Sequence, residues 1–359
     1  MSRMNRRQIL VGSAATLALP ALIGRAAAQD GPLNVGFVYV GPIGDYGWSH
    51  AHDEARKKAQ EHFGDKIKTN YVENVAEGPD AERVIRQLAQ QGNKLIFTTS
   101  FGFMNPTIKV AKQFPDVHFE HATGYKTADN VGIYNARFYE GRAVIGTIAG
   151  MMSKSGKAGY VGSVPIPEVV RGINAFTLAA QKVNPDFTTQ VVWVNSWYDP
   201  AKEADAAKAL IDQGCDIISQ HTDSPAPLQA AEQRGVYAFG QASNMIDFAP
   251  KAHLTAITDN WGPYYIDQIQ KQLDGEWAPG NIWWGIEKGL VGIAPYNDIM
   301  PADVKEAADK VKNGIASGEI HPFAGPITDQ SGEVKVPEGD TIPDEQLLGL
   351  DWYVKGVQS

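Results

Sequence analysis

The chain has 359 residues, with 41 acidic side chains against 32 basic ones and a formal net charge of −9. A negatively charged surface repels the phosphates of nucleic acids, so we expect no nucleic-acid partner. The single cysteine, Cys215, excludes an intrachain disulfide and a site built from several thiolates. It stands at the head of an apolar run, which predicts a buried structural thiol rather than a nucleophile.

Residues 1–28 have the pattern of an export signal. Arginines precede the apolar run Ile9–Ile23, which is shorter than the roughly 20 residues that span a bilayer, and Ala26–Ala28 follow it. Arg6 and Arg7 resemble the pair of a twin-arginine signal, and the general secretory route stays open. We predict cleavage after Ala28 and a soluble periplasmic protein, without a cysteine there for a lipid anchor. The remaining 28 basic and 41 acidic side chains give a net charge of −13.

Downstream of the signal, short β-rich runs alternate with amphipathic helical stretches, which predicts βαβ units and mostly parallel sheets. In the helix predicted from Trp48 to Phe63, apolar residues recur every four positions and charged residues fall between them. The predicted strands are, in chain order, Asn34–Val40, Thr69–Val72, Lys94–Thr98, His118–His121, Ala158–Gly162, Gln190–Val194, Asp216–Gln220 and Val236–Phe239.

An internal repeat indicates how these elements are organised. Asp80–Ser100 aligns with Lys202–Thr222 without gaps at an offset of 122 residues, and Gly92 matches Gly214. Each copy has the pattern of a helix, a glycine at its C-terminus and a buried strand. Any two βα units are somewhat alike, but an ungapped match of this length favours duplication of a whole lobe.

We therefore predict an α/β protein with two doubly wound parallel-sheet lobes. The first comprises 31–140 plus about 260–288, the second 141–259 plus about 289–345, and 346–359 form a C-terminal tail. In such sheets ligands bind beyond the carboxyl ends of the strands, so the site is expected in the cleft between the lobes. The loops that face this cleft are predicted to begin at Gly41, Glu73, Thr99, Ser163, Asn195 and His221.

Several of these loops carry motifs that belong together: GPIGDYGWSH at 41–50, SFGF at 100–103, NSWYDPAK at 195–202, QGCD at 213–216, GVYA at 235–238 and FAGPITDQSG at 323–332. Across the mature chain they resemble the basic membrane protein (BMP) family of ABC-transporter substrate-binding proteins, which includes purine nucleoside receptors. The resemblance implies a hinged, bilobal periplasmic binding protein fold of type I. We also expect a monomer that serves an ABC permease and has no cofactor or enzymatic activity.

The family holds a base between aromatic rings from its two lobes. Trp48 and Trp197 stand where the resemblance places those rings, and stacking on a base is worth roughly 1–3 kcal/mol. The alternative is that each tryptophan only covers the core at a strand-to-helix junction.

Polar contacts are expected from neighbouring loop residues. Asp45 is a candidate acceptor for a base N–H, and the alternative is that it only caps a helix. His50 is a candidate hydrogen-bond donor or acceptor, and a solvated or capping position is equally compatible with the sequence. The equivalent strand ends supply further candidate ligand-binding residues, namely Ser100, Phe101, Thr222 and Asp223.

Two positions depart from the nucleoside-binding members of the family. Ala242 stands where the resemblance places an aspartate, and Asp259 stands near the position of a lysine, both of which hold ribose hydroxyls. We therefore predict a free purine base such as adenine, or a related nucleobase, as the ligand. A nucleoside receptor remains an alternative, because Asn244 offers another sugar contact. Two further alternatives are a sensor that presents its ligand-bound form to a signalling receptor and an exported nucleoside hydrolase.

No metal site is expected. His50 and His52 are not spaced to share one face of a helix, and His118 and His121 point to opposite sides of a predicted strand. Nucleophile-elbow and phosphate-loop motifs do not occur in the sequence.

Overall fold

A computed structural model describes residues 31–359, and the predicted export signal lies outside these residues. The strands are β1 Leu33–Tyr39, β2 Ile67–Val72, β3 Leu95–Thr99, β4 His118–Ala122, β5 Val131–Ala136, β6 Lys157–Gly162, β7 Thr188–Trp193, β8 Ile217–Gln220, β9 Tyr237–Gly240, β10 His253–Asp259, β11 Asn281–Trp284, β12 Val291–Ile293, β13 Ile327–Thr328, β14 Val334–Val336 and β15 Val357–Gln358. The α-helices are α1 Gly47–Phe63, α2 Pro79–Gln90, α3 Met104–Ala111, α4 Phe138–Met152, α5 Pro167–Val183, α6 Pro200–Asp212, α7 Ala226–Arg234, α8 Gly262–Asp274, α9 Ala302–Ser317 and α10 Asp344–Leu348.

These strands form two larger sheets. The first has the order β11-β5-β4-β3-β1-β2, and the second has the order β12-β10-β9-β8-β6-β7-β15. The pairs are parallel except for β12, which runs antiparallel to β10. The predicted α/β fold with two parallel-sheet lobes is confirmed. Each predicted strand corresponds to one of β1–β4 or β6–β9, with ends within two residues.

The repeat has a structural counterpart in its glycines. Gly92 and Gly214 both have positive φ angles, +87° and +91°, that side chains with a Cβ rarely adopt. In both copies the backbone N–H of the residue after the glycine donates to a carbonyl of the preceding helix. Asn93 N–H donates to the Leu88 carbonyl at 3.3 Å, and Cys215 N–H donates to the Leu210 carbonyl at 3.2 Å. The same turn therefore leads from helix to strand in both lobes. Cys215 is buried at this turn, and burial raises the pKa of its thiol to about 11.

Each sheet carries helices on both faces. Apolar residues of α2 and α3 pack on one face of the first sheet, and those of α6 and α7 pack on the matching face of the second. The opposite faces and the remaining helices share one continuous core, in which α1 contacts α8 and α4 contacts α5 and α9. None of the helices in 31–359 combines the length and apolar character needed to cross a membrane.

The chain passes between the lobes three times within 31–359. It leaves the first sheet after β5, returns after β10 through α8 to β11, and leaves again between β11 and β12. The second and third crossings touch, because the N–H of Asn260 donates to the carbonyl of Leu290 at 2.8 Å. The first sheet therefore includes 281–284 from late in the chain, and the second includes 291–293.

The last residues are structured. The segment 346–359, expected as a tail, contributes β15, which pairs with β7 at the edge of the second sheet. Asn174 fixes the approach to this strand by donating to the carbonyl of Trp352 at 2.8 Å and accepting from the N–H of Val354 at 3.1 Å. This pairing satisfies the backbone groups that β7 would otherwise leave open at a sheet edge.

Candidate ligand-binding cleft

A cavity lies at the carboxyl ends of the strands, between the lobes, with about 380 Å³ of empty space that includes open solvent. Its lining comes from both lobes and comprises Val40, Trp48, Ser100, Phe101, Thr123, Glu168, Trp197, His221, Asp223 and Gln241.

Trp48 is held by its own lobe and by the crossing segments. It lies in the first turn of α1, and its indole N–H donates to the carbonyl of Thr99 at 2.6 Å. Its ring meets those of His52, Trp261 and Phe138 edge-on, with centroid distances of 4.4, 5.4 and 5.9 Å. These contacts leave the indole little freedom to rotate.

Trp197 lies in the loop between β7 and α6 of the second lobe. Its carbonyl accepts a hydrogen bond from the N–H of Asp223 at 3.0 Å, which ties the loop to the end of β8. Its indole N–H donates to Glu77 Oε1, in the first lobe, at 3.1 Å. The two predicted indoles therefore line one cavity from opposite lobes.

Glu77 organises the first-lobe side of this contact. The same carboxylate oxygen accepts from the Ser100 hydroxyl at 2.5 Å and from the N–H of Gly102 at 3.0 Å. A Cβ on Gly102 would lie 2.2 Å from the Glu77 carboxyl carbon, so glycine permits this approach. One carboxylate thus fixes the loop after β3 and contacts Trp197.

The N-terminus of α1 is capped by the opposite lobe. Tyr46, the residue before the helix, provides no side-chain cap. The N–H of Gly47 donates instead to Ser243 Oγ at 2.8 Å, and the N–H of Trp48 donates to Asp223 Oδ1 at 3.2 Å. A Cβ on Gly47, whose φ is +80°, would lie 2.7 Å from the Asp223 carbonyl oxygen. The lobes are therefore closed on each other at this point.

Asp223 is half-buried at this junction. Burial raises the pKa of its carboxyl to about 7, the N–H of Trp48 opposes the rise, and the charge of Glu203 adds to it. The carboxyl of Asp223 therefore changes its charge near neutral pH.

Glu168 and His221 form a second polar pair in the cavity wall. Glu168 lies in the first turn of α5, with Oε1 3.6 Å from Nε2 of His221, and both side chains are about nine-tenths buried. Burial lowers the pKa of His221, which favours the neutral ring. Glu168 Oε2 and His221 Nδ1 have no hydrogen-bond partner within the described chain. Unpaired buried polar atoms cost about 1–3 kcal/mol each, so a ligand that satisfies them gains this difference.

Arg142 orients a third polar group. It is fully buried in α4, and its Nη2 donates to Gln241 Oε1. Because a guanidinium only donates, the oxygen of Gln241 faces Arg142 and the amide nitrogen is left as a donor for the cavity. Burial lowers the pKa of Arg142, and the nearby groups Tyr160, Asp259 and Glu168 oppose this shift.

The structure brings five of the sequence-predicted site residues into this cavity: Trp48, Ser100, Phe101, Trp197 and Asp223. The others lie elsewhere. Asp45 is exposed two residues before α1 begins, and Thr222 is buried beside the lining.

His50, Ala242 and Asp259 line a separate space of about 460 Å³ between α1 and the end of β10. Ala242 adopts a left-handed φ of +59°. Both carboxylate oxygens of Asp259 are buried without a hydrogen-bond partner in the part of the chain that the structure describes, and burial raises the pKa of this carboxyl well above the usual range. These three residues are not part of the lining of the cavity between the indoles.

Several lining residues were not among the predicted ligand-binding residues. Thr123 and Gln241 directly follow β4 and β9, each of which ends one residue later than the sequence predicted. His221, which follows β8, was predicted only as the start of a loop that faces the cleft. Glu168 could not be predicted from a strand end, because it reaches the cavity from the first turn of α5. Among residues 31–359, no cluster of three or more His, Cys, Asp or Glu side chains is arranged to hold a metal ion.

Comparison with known proteins agrees with this geometry. Residues 33–322 match the model of the Bmp family, described as ABC transporter substrate-binding protein PnrA-like. The chain belongs to this family. As a Bmp-family member it is a substrate-binding protein of an ABC transporter, which acts outside the cytoplasm and binds a small-molecule ligand for a permease. The resemblance inferred from the loop motifs is thereby confirmed.

Two relatives and one solved structure illustrate the match. A purine-binding protein of Brucella abortus is 61% identical over 336 residues, which cover 94% of this chain and 96% of the relative. A candidate glucose-binding protein of an ABC transporter from Haloferax volcanii is 40% identical over 302 residues, 84% and 77% of the two chains. A solute-binding protein structure from Aeropyrum pernix has a TM-score of 0.70 at 19% identity, covering 82% of this chain and 94% of that one, and supports the fold alone.

Proposed function

We propose that this Bmp-family protein binds a free purine base between Trp48 and Trp197. The observation that carries the proposal is that two indoles, one from each lobe, line a single cavity. A planar heterocycle has two faces, and stacking one aromatic ring on a base is worth about 1–3 kcal/mol. Asp223, Glu168 and Gln241 add the directional polar groups that the edge of a base requires. The purine-binding name of the Brucella relative supports the same ligand class.

A free base fits better than a nucleoside. A ribose needs hydrogen-bond partners for its hydroxyls, and Ala242 offers only a methyl group at the end of β9. Asp259 lines the separate space beside α1, and both of its carboxylate oxygens are buried without a hydrogen-bond partner within 31–359. Two groups that the family resemblance assigns to ribose hydroxyls are therefore missing, and each hydroxyl left unpaired on burial would cost about 1–3 kcal/mol.

We also propose a cellular role, which the family membership supports. The protein is exported to the periplasm by the signal in residues 1–28, binds its ligand as a monomer and presents it to an inner-membrane permease. Closure of the lobes is driven by tighter ligand binding to the closed form.

The test is a calorimetric titration of the purified protein with adenine, guanine, hypoxanthine, adenosine, inosine and glucose. We expect adenine or another free base to bind at least tenfold more tightly than the matching nucleoside. Tighter binding of a nucleoside would contradict the free-base proposal, and binding of glucose alone would contradict the purine proposal. Incubation with adenosine or inosine addresses the nucleoside hydrolase alternative, since a hydrolase would release free base with time.

A further inference from the structure

A groove runs beside the cavity along the lobe interface. The groove holds about 840 Å³ of empty space, which includes open solvent. Phe101, Thr123 and Glu168 line both the cavity and the groove, so the two spaces share a wall. A substituent on a ligand between the indoles would reach the groove by passing the side chains of these residues.

The groove differs from the cavity in chemistry. Tyr125 of the first lobe and Ile166 and Leu348 of the second form apolar walls. Tyr125 is 65% exposed and Leu348 is 46% exposed, which places both among the large apolar side chains left uncovered in this protein. Apolar surface of this kind next to a binding site favours an apolar part of a ligand.

The second-lobe wall is held in place before any ligand arrives. Arg171, which is 2% exposed, donates from Nη1 to the carbonyl of Leu347 at 2.6 Å and so fixes the end of α10 that carries Leu348. On the other side, the rings of Phe101 and Tyr125 lie 6.4 Å apart. A preformed wall reduces the ordering cost of binding.

Glu168 stands where cavity and groove meet. Its Oε2 is buried and has no partner within 31–359, and its place in the first turn of the 17-residue helix α5 favours a negative charge. An ionised carboxylate only accepts, so the ligand must bring an N–H to this point. A ring N–H loses its hydrogen when a substituent is attached there. An exocyclic amine can carry a substituent and keep one N–H.

We propose that the site takes adenines with an apolar substituent on the exocyclic nitrogen. The ring lies between the indoles, the remaining amine N–H donates to Glu168 Oε2, and the substituent lies in the groove against Tyr125 and Leu348. This inference rests on the proposed purine-binding function and specifies the purine.

The experiment is a titration of the purified protein with adenine, N6-methyladenine, N6-benzyladenine and 6-dimethylaminopurine. Burial of the benzyl group is expected to make N6-benzyladenine at least about tenfold tighter than N6-methyladenine. The dimethyl compound has no exocyclic N–H for Glu168, and we expect it to bind about tenfold more weakly than N6-methyladenine. Equal or weaker binding of N6-benzyladenine relative to adenine would overturn the inference.

Variants locate the substituent. Leu348→Asp and Tyr125→Ser, both at exposed positions, are expected to remove most of the benzyl advantage and to leave adenine binding unchanged. Ile299→Asp is the matched control, because Ile299 is 42% exposed at a position outside the groove lining. A benzyl advantage that survives in the Leu348→Asp, Tyr125→Ser double variant would also overturn the inference. If adenine binds and the groove effects are absent, only this inference fails, whereas binding of no purine at all refutes the proposed function itself.

Discussion

The two indoles that face the cavity are supported in different ways. Trp48 donates to the carbonyl of Thr99 and packs edge-on against His52 and Trp261. Trp197 lies in a loop, and its indole N–H reaches Glu77 of the other lobe. The position of Trp48 is therefore fixed by packing around its ring, whereas the position of Trp197 depends on a contact between the lobes.

This difference separates stability from ligand binding within one site. A ring embedded in an aromatic cluster contributes to the free energy of unfolding whether or not ligand is present. A ring held by a cross-lobe hydrogen bond contributes mainly when the lobes are closed. Substitutions at the two positions are therefore expected to give different combinations of effects.

Trp48→Ala should have the largest effect. Removal of the indole leaves a gap beside His52 and Trp261, and we expect the free energy of unfolding to fall by about 3 kcal/mol, with weaker ligand binding as well. Urea unfolding with intrinsic fluorescence measures the first effect, and calorimetry measures the second. A stability equal to that of the Trp197→Ala protein would contradict the proposed difference between the walls.

Trp197→Ala should weaken binding by about 1–3 kcal/mol, or roughly 5- to 150-fold in the dissociation constant. Because the residue lies in a loop, we expect its free energy of unfolding to change by less than about 1 kcal/mol. Trp197→Phe is the matched control, since it keeps an aromatic face but loses the N–H that Glu77 accepts. An unchanged dissociation constant for Trp197→Ala would refute the sandwich.

The smallest expected effect concerns Asp223, which links the two walls by accepting from Trp48 N–H. Its pKa is raised to about 7 by burial, above the value of about 3.9 for a free aspartate. The folded protein therefore binds this proton more tightly than the unfolded chain does. The resulting stability is complete below pH of about 4 and is lost as the pH rises to about 7.

For the wild type we expect this carboxyl to lower the free energy of unfolding by about 0.5 kcal/mol per pH unit over that range, after allowance for solvent screening. Asp223→Asn should remove this component and be more stable than wild type at pH 8. Burial raises the pKa of Glu120 to about 7 as well, so the measured quantity is the difference between the two proteins. Asp45→Asn, at an exposed position, serves as control. Parallel pH profiles for wild type and Asp223→Asn would contradict the assignment.

Much of the fold could be predicted because the sequence repeats itself. The 122-residue offset identifies α2 with α6 and β3 with β8, and the alternating pattern locates the strands beside them. The late strands could not be found in this way. β11 and β15 join sheets whose other strands come from distant parts of the chain, and short segments of two to four residues carry no periodicity.

The site was predictable in position but less so in detail. Strand ends indicated Trp48, Trp197 and Asp223 because parallel sheets place their ligands there. The direction of a loop side chain depends on backbone angles that composition does not reveal. Ala242 adopts a left-handed φ of +59°, and it lines a different space together with Asp259.

The capping of α1 by Ser243 and Asp223 has a consequence for transport. When the lobes separate, the N–H groups of Gly47 and Trp48 exchange these partners for water, so closure regains about 0.5–1.5 kcal/mol per hydrogen bond without any cargo. Empty molecules therefore spend part of their time in the shape that a loaded molecule presents. A permease that recognises only the closed conformation therefore also meets ligand-free protein. Productive import depends on how far ligand binding raises the closed fraction above its value in the ligand-free protein.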